Sequence, residues 1–274
     1  MKPRVLVITP TLGDSPWLDA TVDSVRGQTA MIRHVVTCPA ARVVALRRRF
    51  PEVEFVADAG KEGGIYGALN AGLRAGPANW DWFTYINDDD RLLPGLSRML
   101  EQHDEQGSGA AVIYGDVDLI DANGAVISQI TTERSPHWIP ALLQSGISPL
   151  MQQGTLFRRE VVERLDGFDL RYRLCADLDF WLRAYVGGAR FQYHPLRVAQ
   201  FRLRGGQLSS ATARTEQEQA EIVQRHLPRP EPAWRRRIGP PRYRLMNLPR
   251  YVRRIRTRGL RTSYELLRNE PAQS

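Results

Sequence analysis

Over roughly the first 130 residues, short apolar, β-rich runs alternate with segments of helical apolar spacing, a pattern built by parallel strands joined through crossover helices. The runs predict strands at 4–9, 33–37, 54–57, 82–87 and 110–116, and helices near 17–26, 41–50, 65–75 and 94–106. Ser15 followed by Pro16 reads as the N-cap of the first helix, and Pro39 breaks the second strand. The fold class is therefore α/β, an open mixed sheet flanked by helices, whose ligands sit at the carboxyl ends of the strands.

After Asp116 the pattern changes. Asp121-Ala122-Asn123-Gly124 reads as a hairpin turn, followed by a strand at 154–157, a helix at 176–185 and strands at 190–193 and 198–203. The proline-rich segment 228–232 reads as a linker closing a body of residues 1–227 and opening an extension of residues 228–274.

Composition narrows the class further. With 42% hydrophobic and 25% charged residues in 274, the chain can bury a core of about three quarters of its unfolded surface, and collagen-like or wholly disordered readings are excluded. Its two cysteines, Cys38 and Cys175, cannot build a disulfide framework or a four-cysteine zinc site. No apolar stretch reaches the roughly 18–20 residues that span a bilayer, and the Val5–Ile8 run is too short for a signal-peptide core. The expected location is cytoplasmic, with room for peripheral contact on the inner face of the membrane. Net charge is +8, yet residues 229–268 hold 13 arginines against two acids, a local +11 that leaves the remainder at −3.

Three segments carry candidate chemistry. Asn87-Asp88-Asp89-Asp90 follows the apolar run 82–86, and three successive carboxylates at a strand end require a compensating cation or full solvation. Their hard oxygens suit Mg²⁺ or Mn²⁺ holding a diphosphate; the alternative is a solvated turn capping the helix near Pro94. The glycine-rich stretch Asp58–Gly64 precedes a helix N-terminus that offers amides to an anion, or is simply a flexible βα loop; it matches neither a P-loop nor a dinucleotide fingerprint. Asp177 and Asp179 enter an apolar helix about 200° apart, so only one can face a substrate as general base while the other is structural. Asp177 can equally serve only the helix N-terminus. The five histidines show no metal-ligand spacing, and nothing marks Cys175 as an activated thiol.

In order along residues 3–210, these segments resemble the family 2 glycosyltransferases, nucleotide-sugar enzymes with the GT-A fold. The matching pieces are Ile8–Thr11, Ser24-Val25 with Gln28, Gly64–Gly72, Asn87–Gly95, Gln153–Arg159, Gly167–Asp169 and Ala176–Asp179. The resemblance implies an inverting, metal-dependent enzyme of cell-surface polysaccharide synthesis, moving a sugar from a nucleotide-diphosphate donor to a hydroxyl of a glycan or lipid-linked acceptor. Asp89 and Asp90 would hold the divalent cation, Mg²⁺ or Mn²⁺, with Asp88 beside the donor. Thr9, Pro10, Thr11, Asp58, Gly64 and Asn70 would bind the nucleotide-sugar, Gln152 and Gln153 would face the acceptor, and Asp177 would be the base. The chain departs from the family pattern where Asn87 replaces the first acid of the metal motif, Ala176 replaces the glutamate before the base, and Thr37-Cys38-Pro39 replaces an acidic strand end.

The arginine-rich extension interleaves basic residues with Trp234, Tyr243, Leu245, Met246, Leu248, Tyr251, Val252, Ile255 and Leu260. That composition suits an anionic membrane surface through residues 229–268, with prolines 240, 241 and 249 expected to divide any helix into two short pieces. The rival readings are a nucleic-acid-binding protein, which accounts for the extension but not the acids, and a sugar nucleotidyltransferase, which would release pyrophosphate.

Overall fold

A computed structural model describes residues 3–203, 213–250 and 252. Its elements are β1 (Arg4–Pro10), α1 (Leu18–Arg26), β2 (Met31–Pro39), α2 (Ala40–Arg49), β3 (Glu54–Asp58), α3 (Gly64–Ala75), β4 (Trp82–Tyr85), β5 (Arg91–Leu92), α4 (Gly95–Gln106), β6 (Val112–Ile120) and β7 (Val126–Ile130). They continue through α5 (Ile139–Leu143), β8 (Thr155–Arg158), α6 (Arg159–Leu165), α7 (Ala176–Val186), β9 (Phe191–Arg202), α8 (Ala213–His226) and α9 (Ala233–Met246). One sheet runs β3-β2-β1-β4-β8-β6-β9-β5, with β7 paired to β6. Pairing is parallel from β3 to β4, antiparallel on both sides of β8, and parallel again between β6 and β9. The sheet is thus mixed and helix-flanked, as the sequence predicts.

The apolar run of β1 is continuous because both faces of the strand are covered. Val5 and Val7 pack with Val25 of α1 and Leu96 of α4 on one side; Leu6 and Ile8 pack with Leu69 of α3 and Phe180 of α7 on the other. Each such fully buried side chain contributes about 1.5–3 kcal/mol. Glycine permits one unusually close approach: a Cβ on Gly95 would stand 1.9 Å from the Arg197 carbonyl oxygen, so α4 can rest on the backbone of β9 only without a side chain there.

Three local expectations are corrected. The first helix begins at Leu18 rather than just after Ser15, whose hydroxyl accepts from the Trp17 N–H but also donates to the Asp88 carbonyl and so serves the β4 loop. The two strands expected around 190–203 are one strand, β9: the break at Pro195 is absorbed by register shifts against β6, where Gly115 leaves room for the Leu196 carbonyl. Helix α9 runs through Pro240 and Pro241 instead of stopping. Gly239, the residue before the pair, has no Cβ to collide with the Pro240 ring and packs against Trp138 and Leu142.

The Asp121–Gly124 turn is a hairpin as expected, joining β6 and β7, with Gly124 at φ +87° and the Asp121 carboxylate accepting from the Asn123 and Ala125 N–H groups. Past the proline-rich segment, α9 lies on the body. Arg242 donates both terminal nitrogens to the buried Glu133 carboxylate at 2.6 and 2.9 Å, and Asn247 pairs with the Thr131 backbone in both directions. Residue 251 and residues 253–268 of the basic stretch, with Ile255 and Leu260, lie outside the described residues.

Candidate active site

Strand order creates the site. β2 and β3 lie on one side of β1 and β4 on the other, so the strand order switches at β1 and β4, the place in an α/β sheet outside whose carboxyl ends ligands bind. Ile8 is in register with Tyr85, which places Thr9–Thr11 and Ile86–Asp90 at the same sheet edge. The Thr11 hydroxyl donates to Asp88 Oδ2 at 2.5 Å, tying the two segments together. Thr9, by contrast, is buried and shares its hydroxyl with His34 Nε2 at 3.0 Å; burial, then Arg26, pushes the His34 pKa down to about 3 and keeps the ring neutral.

The cation demanded by three successive carboxylates is Arg202, at the end of β9. Its backbone N–H donates to Asp90 Oδ1, and its fully buried guanidinium donates to the carbonyls of Asp89, Asp121 and Ala122. Asp90 is wholly enclosed, its other oxygen accepting from Gln153 Nε2 at 2.9 Å and from Asn87 Nδ2. Burial, followed by the charge of Asp89, raises its carboxyl well above the ordinary carboxylate range. Asp90 therefore shapes the turn, while Asp88 is half-buried and Asp89 nearly buried beside it.

Both acceptor-side glutamines are turned inward. Gln153 serves Asp90, and Gln152 Nε2 donates to the Tyr85 carbonyl at 2.6 Å while its Oε1 is buried without a partner among the described residues. Asn70 clamps the backbone of Phe168 from both sides, accepting at Oδ1 and donating from Nδ2, each at 2.8 Å, and so joins α3 to the turn before α7. Asp58, at the end of β3, accepts from the Gly60 N–H, and Gly64 opens α3 at φ +65° with the Arg173 guanidinium 3.8 Å from where a side chain would begin.

Asp177 and Asp179 separate as helical geometry requires. Asp179 is buried, held by Arg183 and His226 at 2.7 Å each. Asp177 Oδ1 accepts from the Tyr66 hydroxyl at 3.1 Å and from the Leu178 N–H at 2.9 Å. Burial raises its carboxyl to about 6, in spite of those bonds, and its charge in turn adds to the raised pKa of Tyr85, the last residue of β4. Cys175 donates to the Thr215 carbonyl, and burial lifts its thiol to about 12, so it is inert.

Sequence reading missed Glu218. From α8, its carboxylate accepts the backbone N–H groups of Arg173, Leu174 and Cys175, capping the turn that launches α7 and presents Asp177. Burial alone would raise this acid, but the bonds from Leu174, Arg173, Arg214 and Cys175 bring it below its ordinary value. No local pattern could have found a partner more than 40 residues away. Glu218→Ala is expected to cost about 2 kcal/mol in urea denaturation, because backbone donors lose a charged acceptor.

The acidic turn fits a divalent cation on the chemistry of its donors. Among the described residues no three His, Cys, Asp or Glu side chains converge as a closed cage. Mg²⁺ and Mn²⁺ sites that work on phosphates need only one or two carboxylates, the substrate supplying further oxygens. Asp88 and Asp89 offer such carboxylates, and the buried Asn87 Oδ1 beside them has no hydrogen-bond partner among the described residues.

Comparison with known proteins agrees with this geometry. The profile described as Glycosyl transferase family 2 matches residues 6–166. Staphylococcus aureus TarS 1-349 in complex with UDP-GlcNAc superposes with a TM-score of 0.62 at 16% identity, covering 93% of this chain and 74% of that one. The longer TarS chain is 46% covered, at a TM-score of 0.58 and 15% identity. The mannosyltransferase PcManGT from Pyrobaculum calidifontis, in complex with GDP-Man and Mn²⁺, gives 0.60 at 15% identity, covering 98% and 79%. No curated protein matches the chain in sequence. The switch in strand order at β1 and β4, the acidic turn beside it and the profile spanning them have one common explanation: the chain belongs to glycosyl transferase family 2.

Proposed function

We propose that this glycosyltransferase moves a sugar from a nucleotide-diphosphate donor, bound with Mg²⁺ or Mn²⁺, to a hydroxyl of a glycan or lipid-linked acceptor in cell-surface polysaccharide synthesis, inverting the anomeric configuration. The observation that carries this reading is Asp177, a half-buried carboxyl held by Tyr66 and the Leu178 N–H, raised to about 6 by desolvation and close enough to act on Tyr85, whose strand leads into the acidic turn. Complexes of TarS with UDP-GlcNAc and of PcManGT with GDP-Man and Mn²⁺ lend support through a shared fold.

In this reading Thr11, Asp88 and the Gly64 helix start line the donor side, and Asp89, with Asp88, holds the cation. The metal, when bound, offsets charge on the departing diphosphate. Asp90 takes no direct part, since protein donors occupy both its oxygens. Asp177 Oδ1 is held by Tyr66 and Leu178, which leaves Oδ2 to remove the acceptor's proton as its oxygen attacks the anomeric carbon from the face opposite the leaving group. Residues 1–227 form the catalytic unit and residues 228–274 an extension with a separate role.

Calorimetric titration with UDP, GDP and dTDP, each with and without Mn²⁺, tests the reading. One nucleotide is expected to bind at least about tenfold tighter with the metal, a difference of about 1.4 kcal/mol. Silence from all three would overturn it.

A further inference from the structure

Ten large apolar side chains are exposed among the described residues, and five of them, Trp234, Ile238, Leu245, Leu248 and Val252, fall within its last stretch. Their spacing is not random. Positions 234, 238, 241 and 245 recur every three or four residues along α9, and Leu248 continues the series, so Trp234, Ile238, Pro241 and Leu245 form one stripe on the helix. The opposite side of α9 is the docked one: Gly239, Tyr243 and Asn247 are buried against the body. Leu245 is 70% exposed and Trp234 54%, values that an ordinary surface helix does not concentrate on a single face.

Arginines flank the stripe. At 100° per residue, Arg237 and Arg244 fall on one border; Arg235 and Arg242 fall on the other and are paired to Glu231 and Glu133. Arg237 and Arg244 are exposed. The sequence beyond Val252 adds arginines 253, 254, 256, 258, 261 and 268 against the single acid Glu265 before residue 269. An apolar stripe between cationic borders, on a helix anchored by its other side, matches a bilayer interface with anionic headgroups: the stripe enters the acyl boundary and the guanidinium groups stay among the phosphates. No helix among the described residues is long and apolar enough to cross a membrane, so the contact is one of lying on the surface.

We infer that the outer face of α9 docks the protein on an anionic lipid surface. The orientation suits a lipid-borne acceptor. A cavity of about 630 Å³, walled by Leu143, Ile147, Val223 and Leu227, is bounded by both Arg236 of α9 and Leu178, the neighbour of Asp177.

The test is co-sedimentation of the full chain with vesicles of phosphatidylcholine alone and of equal parts phosphatidylcholine and phosphatidylglycerol. Binding to the anionic vesicles is expected to exceed binding to the neutral ones by about tenfold or more and to weaken with salt. Ile238→Asp with Leu245→Asp is expected to reduce it about tenfold or more, Ile238→Phe with Leu245→Phe to preserve it, and Arg237→Glu with Arg244→Glu to remove the anionic preference. These side chains are exposed, so an unchanged circular-dichroism melt shows that each variant is folded. Failure of the wild type to bind anionic vesicles, or binding indifferent to the aspartates, would overturn the inference. Tighter binding to random single-stranded DNA than to the vesicles, equally indifferent to the aspartates, would overturn it in favour of nucleic acid. No donor or acceptor enters the assay, so its failure is distinct from failure of the proposed transfer reaction.

Discussion

Asp177→Asn is expected to lower turnover about 10²–10⁴-fold while leaving affinity for the donor nucleotide within about twofold of wild type. The amide oxygen can still accept from Tyr66 and Leu178, so the turn and the start of α7 persist and only the proton-accepting capacity is lost. The pH profile supplies an independent signature. A base works only when ionised, and burial raises this carboxyl to about 6, so the rate should fall as pH drops through about 6 and level off above it. In the variant that acidic limb should vanish from any residual activity. If Asp177 served only the helix N-terminus, the substitution would act through stability, and near-normal turnover of the folded protein would remove it from the reaction.

Asp89→Ala is expected to abolish the advantage that Mn²⁺ gives to donor binding and to lower transfer about 10³-fold, several kcal/mol of lost charge stabilisation. The neighbouring acids cannot substitute fully: Asp90 is enclosed by Arg202, Gln153 and Asn87, and Asp88 Oδ2 already takes the Thr11 hydroxyl. Metal-dependent titration of the variant, beside its melting curve, checks this. Undiminished Mn²⁺ dependence would mean that the cation sits elsewhere.

Much of the architecture was readable because its signals are local. Strands β1 to β4 stand out by apolar runs bounded by Pro, Gly and Asp, and the Asp121–Gly124 hairpin by its turn residues. The acidic turn was legible as a problem of charge, since three adjacent carboxylates demand compensation, but the sequence could not say from where. Arg202 answers from 112 residues away, and Glu218 closes the turn before α7 from more than 40 residues away, distances at which no periodicity operates. The inward turning of Gln152 and Gln153, and the use of Thr9 by His34, were hidden for a related reason: a residue's place in a motif does not show which way a short side chain faces once strands pair. Proline misled at Pro240-Pro241, where Gly239 before the pair has no Cβ to meet the Pro240 ring and α9 continues.

The reach of Arg202 also sets an order of assembly. Its backbone meets Asp90 and its guanidinium the carbonyl of Asp89 across 112 and 113 residues of intervening chain, and the turn that presents Asp177 is closed by an acid later still. Contacts of such separation bear a large loop-closure entropy and form late. A nascent chain that has just left its first four strands therefore carries an acidic turn with no counter-charge, and it remains incompetent until the end of β9 and then α8 arrive. Molecules that end before Arg202 or Glu218 thus lack the partners that hold the acidic turn and the turn before α7, a dependence written into the connectivity of the sheet.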